Sequence, residues 1–196
     1  MQFLHVGCGS QKQIELKGFN SLEWEEIRFD IDEKIKPDIV GTLTDMSKVM
    51  NESVDAVYSS HNIEHIYAHE VPIALKEFFR VLKPEGFVVI TCPDLKTVCE
   101  AIIKDQLLQP LYRSPTGDIA PIDILYGHRL YLMQGKEFMS HKCGFTYQSL
   151  CSAFYEAGFK TTFGGSRPNY YDLWLIAFKN LKTHEEIGKV APIFLP

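Results

Sequence analysis

The sequence predicts an α/β fold built on a mostly parallel sheet, and three observations carry that prediction. Short apolar runs alternate with helical or polar segments through the first half of the chain, the order that builds parallel strands. Runs such as Val88-Val-Ile-Thr91 are continuously apolar, as strands covered on both faces are. The last two strand-like runs are joined by Gly164-Gly-Ser-Arg-Pro-Asn169, a hairpin-type connection that adds one antiparallel strand. The 196 residues suffice for one domain, 1–196, with a full core.

The elements follow in order. Phe3 to Val6 is a short buried strand, and 11–24 is polar with only a weak helical pattern. Glu26 to Phe29 is a second strand, ending in Asp30-Ile-Asp32, and Asp38 to Leu43 is a third, after Pro37. Val54 to Ser60 is a fourth. From His69 to Leu82, Val71, Ala74, Leu75, Phe78 and Leu82 recur on one face of a helix, with Pro72 in its first turn. Lys83-Pro-Glu-Gly86 reads as the turn that stops it. Phe87 to Thr91 is a fifth strand, and a helix runs from Leu95 to about Leu108. Residues 109–145 hold three prolines, two histidines and several tyrosines, too long a stretch for a plain loop, and are expected to form an ordered insertion or lid. Thr146 caps a helix that Gly158 ends, and Phe159–Phe163 and Asp172–Phe178 are the closing strands. The apolar tail 190–196 is expected to pack on its own sheet or to dock on a second subunit as a homodimer.

Composition excludes several classes. The net charge is −5 without a Lys/Arg cluster, which argues against nucleic acid as a partner. No apolar run approaches a membrane span, and no basic-then-apolar leader opens the chain, so a cytoplasmic protein without a membrane is expected. The five cysteines include no C-x-x-C pair and read as reduced thiols, Cys8 as small apolar filler.

Gly7 and Gly9 lie at the carboxyl end of the first strand, where an open α/β sheet binds its ligand and where a missing Cβ lets a ligand meet the backbone. Asp30 ends the second strand about twenty residues on, the place from which a carboxylate accepts ribose hydroxyls, with Asp32 as the alternative. Lys12 occupies the third glycine position of the dinucleotide fingerprint, which favours a nucleoside without a pyrophosphate.

The ordered segments FLHVGCGS, RFDID, TLTDM, VDAVYSSHNIEHI and EFFRVLKPEGFVVITCPD resemble the motifs of class I S-adenosylmethionine-dependent methyltransferases, most closely the type 11 group, over residues 1–94. The resemblance implies a Rossmann-like seven-stranded sheet with an antiparallel last strand and helices on both faces. It implies S-adenosyl-L-methionine as cofactor, with Gly7, Cys8 and Gly9 at the methionine portion and Asp30 and Ile31 at the ribose. Asp45 and Met46 would lie at the adenine, and Ser60 and His61 would face the methyl group. Asp45 also reads as a helix cap for Met46-Ser-Lys-Val. Gln11 departs from the family's G-x-G-x-G, and the first helix is short or missing.

A base is needed if the acceptor is a hydroxyl or an ammonium; His61, His65, His128 and His141 are candidates, with His61, His128 and His141 expected to be catalytic. Arg129 and Lys142 beside the last two suit an anionic acceptor, and Tyr112, Tyr126 and Tyr131 an acceptor wall. His61 and His65, four apart, have a spacing that could hold zinc with Glu64 or His69, but the resemblance assigns this segment a packing role, so no metal is expected. No Asn/Asp-Pro-Pro-Tyr/Phe follows the fourth strand, which points away from base methylation and toward a small-molecule or sugar-type acceptor. The alternatives are a methyltransferase-fold binding module without transfer activity and a dinucleotide-dependent oxidoreductase.

Overall fold

The computed structural model describes residues 1–196. Strands β1 (Gln2–Val6), β2 (Glu25–Asp30), β3 (Ile39–Val40), β4 (Val54–Ser60) and β5 (Leu82–Pro93) are parallel. Helix α1 (Val71–Val81) precedes β5, and α2 (Leu95–Ile103) follows it. The insertion folds as a hairpin, β6 (Tyr112–Ser114) and β7 (Gly117–Ile119), followed by α3 (Pro121–Tyr126) and α4 (Arg129–Met133). Helix α5 (Tyr147–Ala157), β8 (Thr161–Arg167), β9 (Asp172–Phe178) and α6 (His184–Phe194) complete the chain. The seven-stranded sheet has the order β3-β2-β1-β4-β5-β9-β8, with β9 antiparallel to both neighbours. Strand order reverses between β1 and β4, so the crevice at their carboxyl ends is the switch point where such sheets bind ligands.

The period-2 alternation of each strand divides the core in two. Leu4, Val6, Val57, Val88 and Ile90 face α1 and α5 on one side. Phe3, Ala56, Tyr58, Val89 and Ile176 face the other, under Leu16, Phe19 and Trp24 of the 7–24 connection and Ala191, Phe194 and Leu195 from the end of the chain.

The structure answers four of the expectations. The 11–24 segment forms only a single 3-10 turn, Gln13–Glu15. The tail belongs to α6 and packs on its own sheet. The Phe194 ring lies 4.8 Å from Phe19 and 4.9 Å from Phe87, centroid to centroid, and fills the layer that a first helix would occupy. Gly18, at φ +81°, is required there, because a Cβ would sit 2.3 Å from the Phe194 ring. The expected Lys83–Gly86 turn is instead an irregularity inside β5. Leu82 pairs with Val54 and Phe87 with Ala56, so the extra residues loop out as a bulge. The third strand is only two residues long, since Gly41 leads directly into the Thr42–Asp45 turn. No helix is long and apolar enough to cross a membrane.

Helix α6 starts with a capping box: Thr183 Oγ1 accepts the Glu186 N–H at 3.2 Å, and a Glu186 carboxylate oxygen accepts the Thr183 N–H at 2.7 Å. Thr183→Ala is expected to lower unfolding free energy by about 1 kcal/mol. Urea denaturation reads this, and an unchanged midpoint would mean that α6 is held by packing alone.

Candidate active site

The turn after β1 is fixed from three sides. Gly7 and Cys8 N–H groups both donate to the Phe29 carbonyl, at 2.9 and 3.3 Å. The Gly9 N–H donates to Asp30 Oδ2 at 2.9 Å. The Arg28 guanidinium donates to the Gly9 carbonyl at 2.6 Å and to the Gln11 carbonyl at 2.7 Å. Gly7 and Gly9 hold φ of +71° and +48°, the left-handed region that glycine adopts without penalty. A Cβ at Gly7 would strike the Asn62 side chain at 2.4 Å, whereas a Cβ at Gly9 would meet nothing within 4 Å. Arg28 escaped the sequence reading; its signal is a lone cation in a short strand that ends beside the glycine turn.

A cavity of about 600 Å³ opens at this switch point. Gly7, Gly9, Asp30, Ile31 and Asp32 form one side, and Gly41 to Thr44 form the next. His61, Asn62, His65 and Tyr67, from the segment after β4, form the far wall. Tyr131, Lys136, Phe138 and Met139 of the insertion cover it, so this part of 109–145 does reach the cavity. Lys136 lies over the Tyr131 ring and Lys142 over the Tyr67 ring, and neither is ion-paired with a carboxylate.

The structure separates the expected site residues into two groups. Gly7, Gly9, Asp30, Ile31 and His61 line the cavity. Cys8, Asp45, Met46 and Ser60 do not, and neither do His128 and His141. Cys8 is buried, and desolvation pushes its thiol up to about 11. Asp45 points to solvent and accepts the Ser47 N–H at 3.0 Å inside a turn, with no helix following for it to cap, while Met46 has no exposed surface and belongs to the core. Their neighbours Thr42 to Thr44 take the wall position instead. Arg129 is held by a two-pronged contact to buried Asp123, at 2.6 and 2.9 Å, and is spoken for. Tyr112 stacks on Tyr171 and Tyr126 is exposed, so of the three tyrosines only Tyr131 reaches the cavity.

His61 ends β4 with φ +47°, an uncommon conformation for a side-chain-bearing residue, and its side chain is 47% exposed. Its Nδ1 lies 3.5 Å from Glu64 Oε1, an ion-pair contact rather than a formed hydrogen bond. Burial pushes the His61 imidazole toward the neutral form, but the Glu64 carboxylate more than offsets this and raises its pKa. Burial likewise pushes the Glu64 carboxyl up, and the facing His61 more than offsets this and holds it below its usual value. His128 caps the start of α4 against Tyr131, with its Nδ1 buried and unpartnered. His141 turns its Nδ1 to the Ile124 carbonyl at 2.6 Å.

Residues 4–90 match the family described as "Methyltransferase domain". No curated protein sequence matches the chain. Among solved structures, a Pyrococcus horikoshii protein is 15% identical, with TM-score 0.60, over 91% of this chain and 83% of that one. An S-adenosylmethionine-dependent methyltransferase of Archaeoglobus fulgidus is 16% identical, with TM-score 0.58, over 91% and 86%. The CMeT domain of the citrinin polyketide synthase is 11% identical, with TM-score 0.57, over 93% of this chain but only 47% of that one, so the chain spans about half its length. The sheet order and these likenesses establish the Rossmann-like methyltransferase fold.

Proposed function

We propose that this chain is a class I S-adenosylmethionine-dependent methyltransferase and transfers a methyl group to an oxygen or nitrogen of a small-molecule or sugar-type acceptor. The observation that carries the reading is the cavity at the switch point, with the glycine turn on one side and the half-exposed His61 on the other. A volume of about 600 Å³ suits a ligand of cofactor size. The open space beside Gly9 is a cradle that any Cβ would begin to fill.

In this reading S-adenosylmethionine supplies an electrophilic methyl on a sulfonium. Gly7 and Gly9 present backbone to its methionine portion. Asp30 accepts one N–H on each oxygen, from Gly9 and Asp32 at 2.9 Å, and keeps its remaining lone pairs for ribose hydroxyls. Thr42, Leu43 and Thr44 take the adenine side in place of Asp45 and Met46. His61 accepts the acceptor's proton, and Glu64 holds the resulting imidazolium. Tyr131, Phe138 and Met139 exclude water and align the acceptor, the work of a lid. Lys136 and Lys142 favour an acceptor that carries an acidic group.

Calorimetric titration with S-adenosylmethionine and NAD(H), followed by labelled-methyl transfer to acidic sugar and metabolite panels, tests this. Tight cofactor binding with no transfer to any acceptor would identify a binding module, and preference for NAD(H) would overturn the reading. Asp30→Ala is expected to weaken S-adenosylmethionine binding by about 1–3 kcal/mol, the scale of losing hydrogen bonds to a charged group. An unchanged dissociation constant in the folded variant would exclude Asp30 and direct attention to Asp32.

A further inference from the structure

Behind the far wall of the cavity lies a polar cluster of which the transfer step uses only Glu64, through its 3.5 Å ion-pair contact with His61. Glu64 is 1% exposed, and neither of its carboxylate oxygens has a hydrogen-bond partner. A buried carboxylate left in that state is costly unless a cation compensates it. His65 and His141 each bring one nitrogen to it, and the three ligand-type atoms lie within 4.8 Å of one another. The two rings meet edge to face, with centroids 4.9 Å apart.

The ring nitrogens settle the chemistry of the cluster. His65 Nδ1 faces the Ser140 carbonyl at 3.1 Å, and His141 Nδ1 faces the Ile124 carbonyl at 2.6 Å. A carbonyl only accepts, so each Nδ1 carries a proton and each neutral ring keeps its lone pair on Nε2. An Nδ1–H bonded to a carbonyl is the arrangement that orients metal-ligating histidines and raises their basicity. No hydrogen bond joins either ring to Glu64, as an imidazolium–carboxylate pair would require.

We propose that Glu64, His65 and His141 form a binding site for a divalent transition metal of the zinc class. Two imidazoles and one carboxylate are a ligand set zinc accepts, with a further position left for water or another oxygen. At metal–ligand distances of about 2.0–2.2 Å the ligand atoms draw somewhat closer together than they now stand. The sequence spacing that pairs His61 with His65 therefore names the wrong partner: His65 is joined instead by His141, from the end of the insertion. The backbone already brings the two segments together, since the Lys142 and Cys143 N–H groups donate to the Glu64 carbonyl at 2.8 and 3.3 Å. A bound ion would staple the insertion to the segment after β4, beside His65 on the cavity wall. The site shares Glu64 with the His61 pair, but metal binding is read directly and does not depend on the transferase reading.

The test is titration of the chelator-treated full chain with cobalt(II), then displacement by zinc, followed by visible absorption and thermal melting. One ion per chain is expected, with weak bands of a nitrogen/oxygen ligand set and a rise in melting temperature on zinc addition. Glu64→Gln and His141→Ala should each weaken cobalt binding by at least about tenfold, as the loss of even an outer-shell partner does. Glu64→Gln removes only a buried charge, so it should fold without metal, and zinc should no longer raise its melting temperature. Equal affinity in the wild type and Glu64→Gln overturns the proposal. So does an intense thiolate band, which would place the ion on cysteines such as Cys143.

Discussion

Gly9→Val is expected to remove S-adenosylmethionine binding while leaving the fold intact. The backbone at Gly9 has φ +48°, where a β-branched side chain is strained by about 1–3 kcal/mol. The turn cannot relax to relieve that strain. Its N–H is held by Asp30 and its carbonyl by Arg28, both anchored in β2. The new side chain projects into space where nothing stands within 4 Å, and Gly9 lines the cavity, so the volume taken is the ligand's. A rise of at least about hundredfold in the dissociation constant is expected, about 2.7 kcal/mol. Gly9→Ala should cost less, because it adds only one methyl. Position 7 is a poorer probe, since any Cβ there collides with Asn62 and confounds binding with local refolding. Wild-type affinity in a folded Gly9→Val protein would show that the cofactor sits elsewhere.

The parallel half of the sheet was legible because its determinants are local. The apolar runs at β1, β4 and β5 and the helical stripe of α1 each lie within a dozen residues, and the two glycines mark the ligand end of β1. Helix α6 was also written in the sequence, although the tail's apolar character drew attention away from it. Thr183 and Glu186 are spaced as a capping box, and Ile187, Val190, Ala191 and Phe194 recur at helical spacing. Pro192 near its end masks that pattern. What α6 covers was not legible, because the contact of Phe194 with Phe19 and Phe87 is made only after the sheet has brought the chain's two ends together. The same holds for the site. Gly9 and Asp30 follow from strand ends. Whether Asp45 or its neighbours face the cavity depends on how one tight turn is oriented, and in that turn Asp45 accepts the Ser47 N–H and stays on the solvent side. The meeting of Glu64 with His141 is set by where the insertion returns, which no spacing in the sequence records.

That return also separates the three histidines expected to be catalytic, and His61→Asn is the variant that exploits it. Asparagine tolerates the left-handed backbone found at position 61 and cannot act as a base near neutral pH, so the change removes proton acceptance with little disturbance of β4. Turnover is expected to fall by about 10²–10⁴-fold, the usual contribution of a positioned base. Cofactor affinity should stay within about twofold, or 0.4 kcal/mol, because Gly7, Gly9 and Asp30 are untouched. His128→Ala should keep turnover near that of the wild type and register only in thermal stability, since His128 lies off the cavity beside Tyr131. His141 is likewise off the wall, with its Nδ1 committed to a carbonyl, so its loss should be read in metal affinity before turnover. Steady-state rates on an identified acceptor decide the matter. A His61→Asn enzyme as fast as the wild type, beside a crippled His128→Ala, would move the base into the insertion and make the exposed wall histidine a bystander.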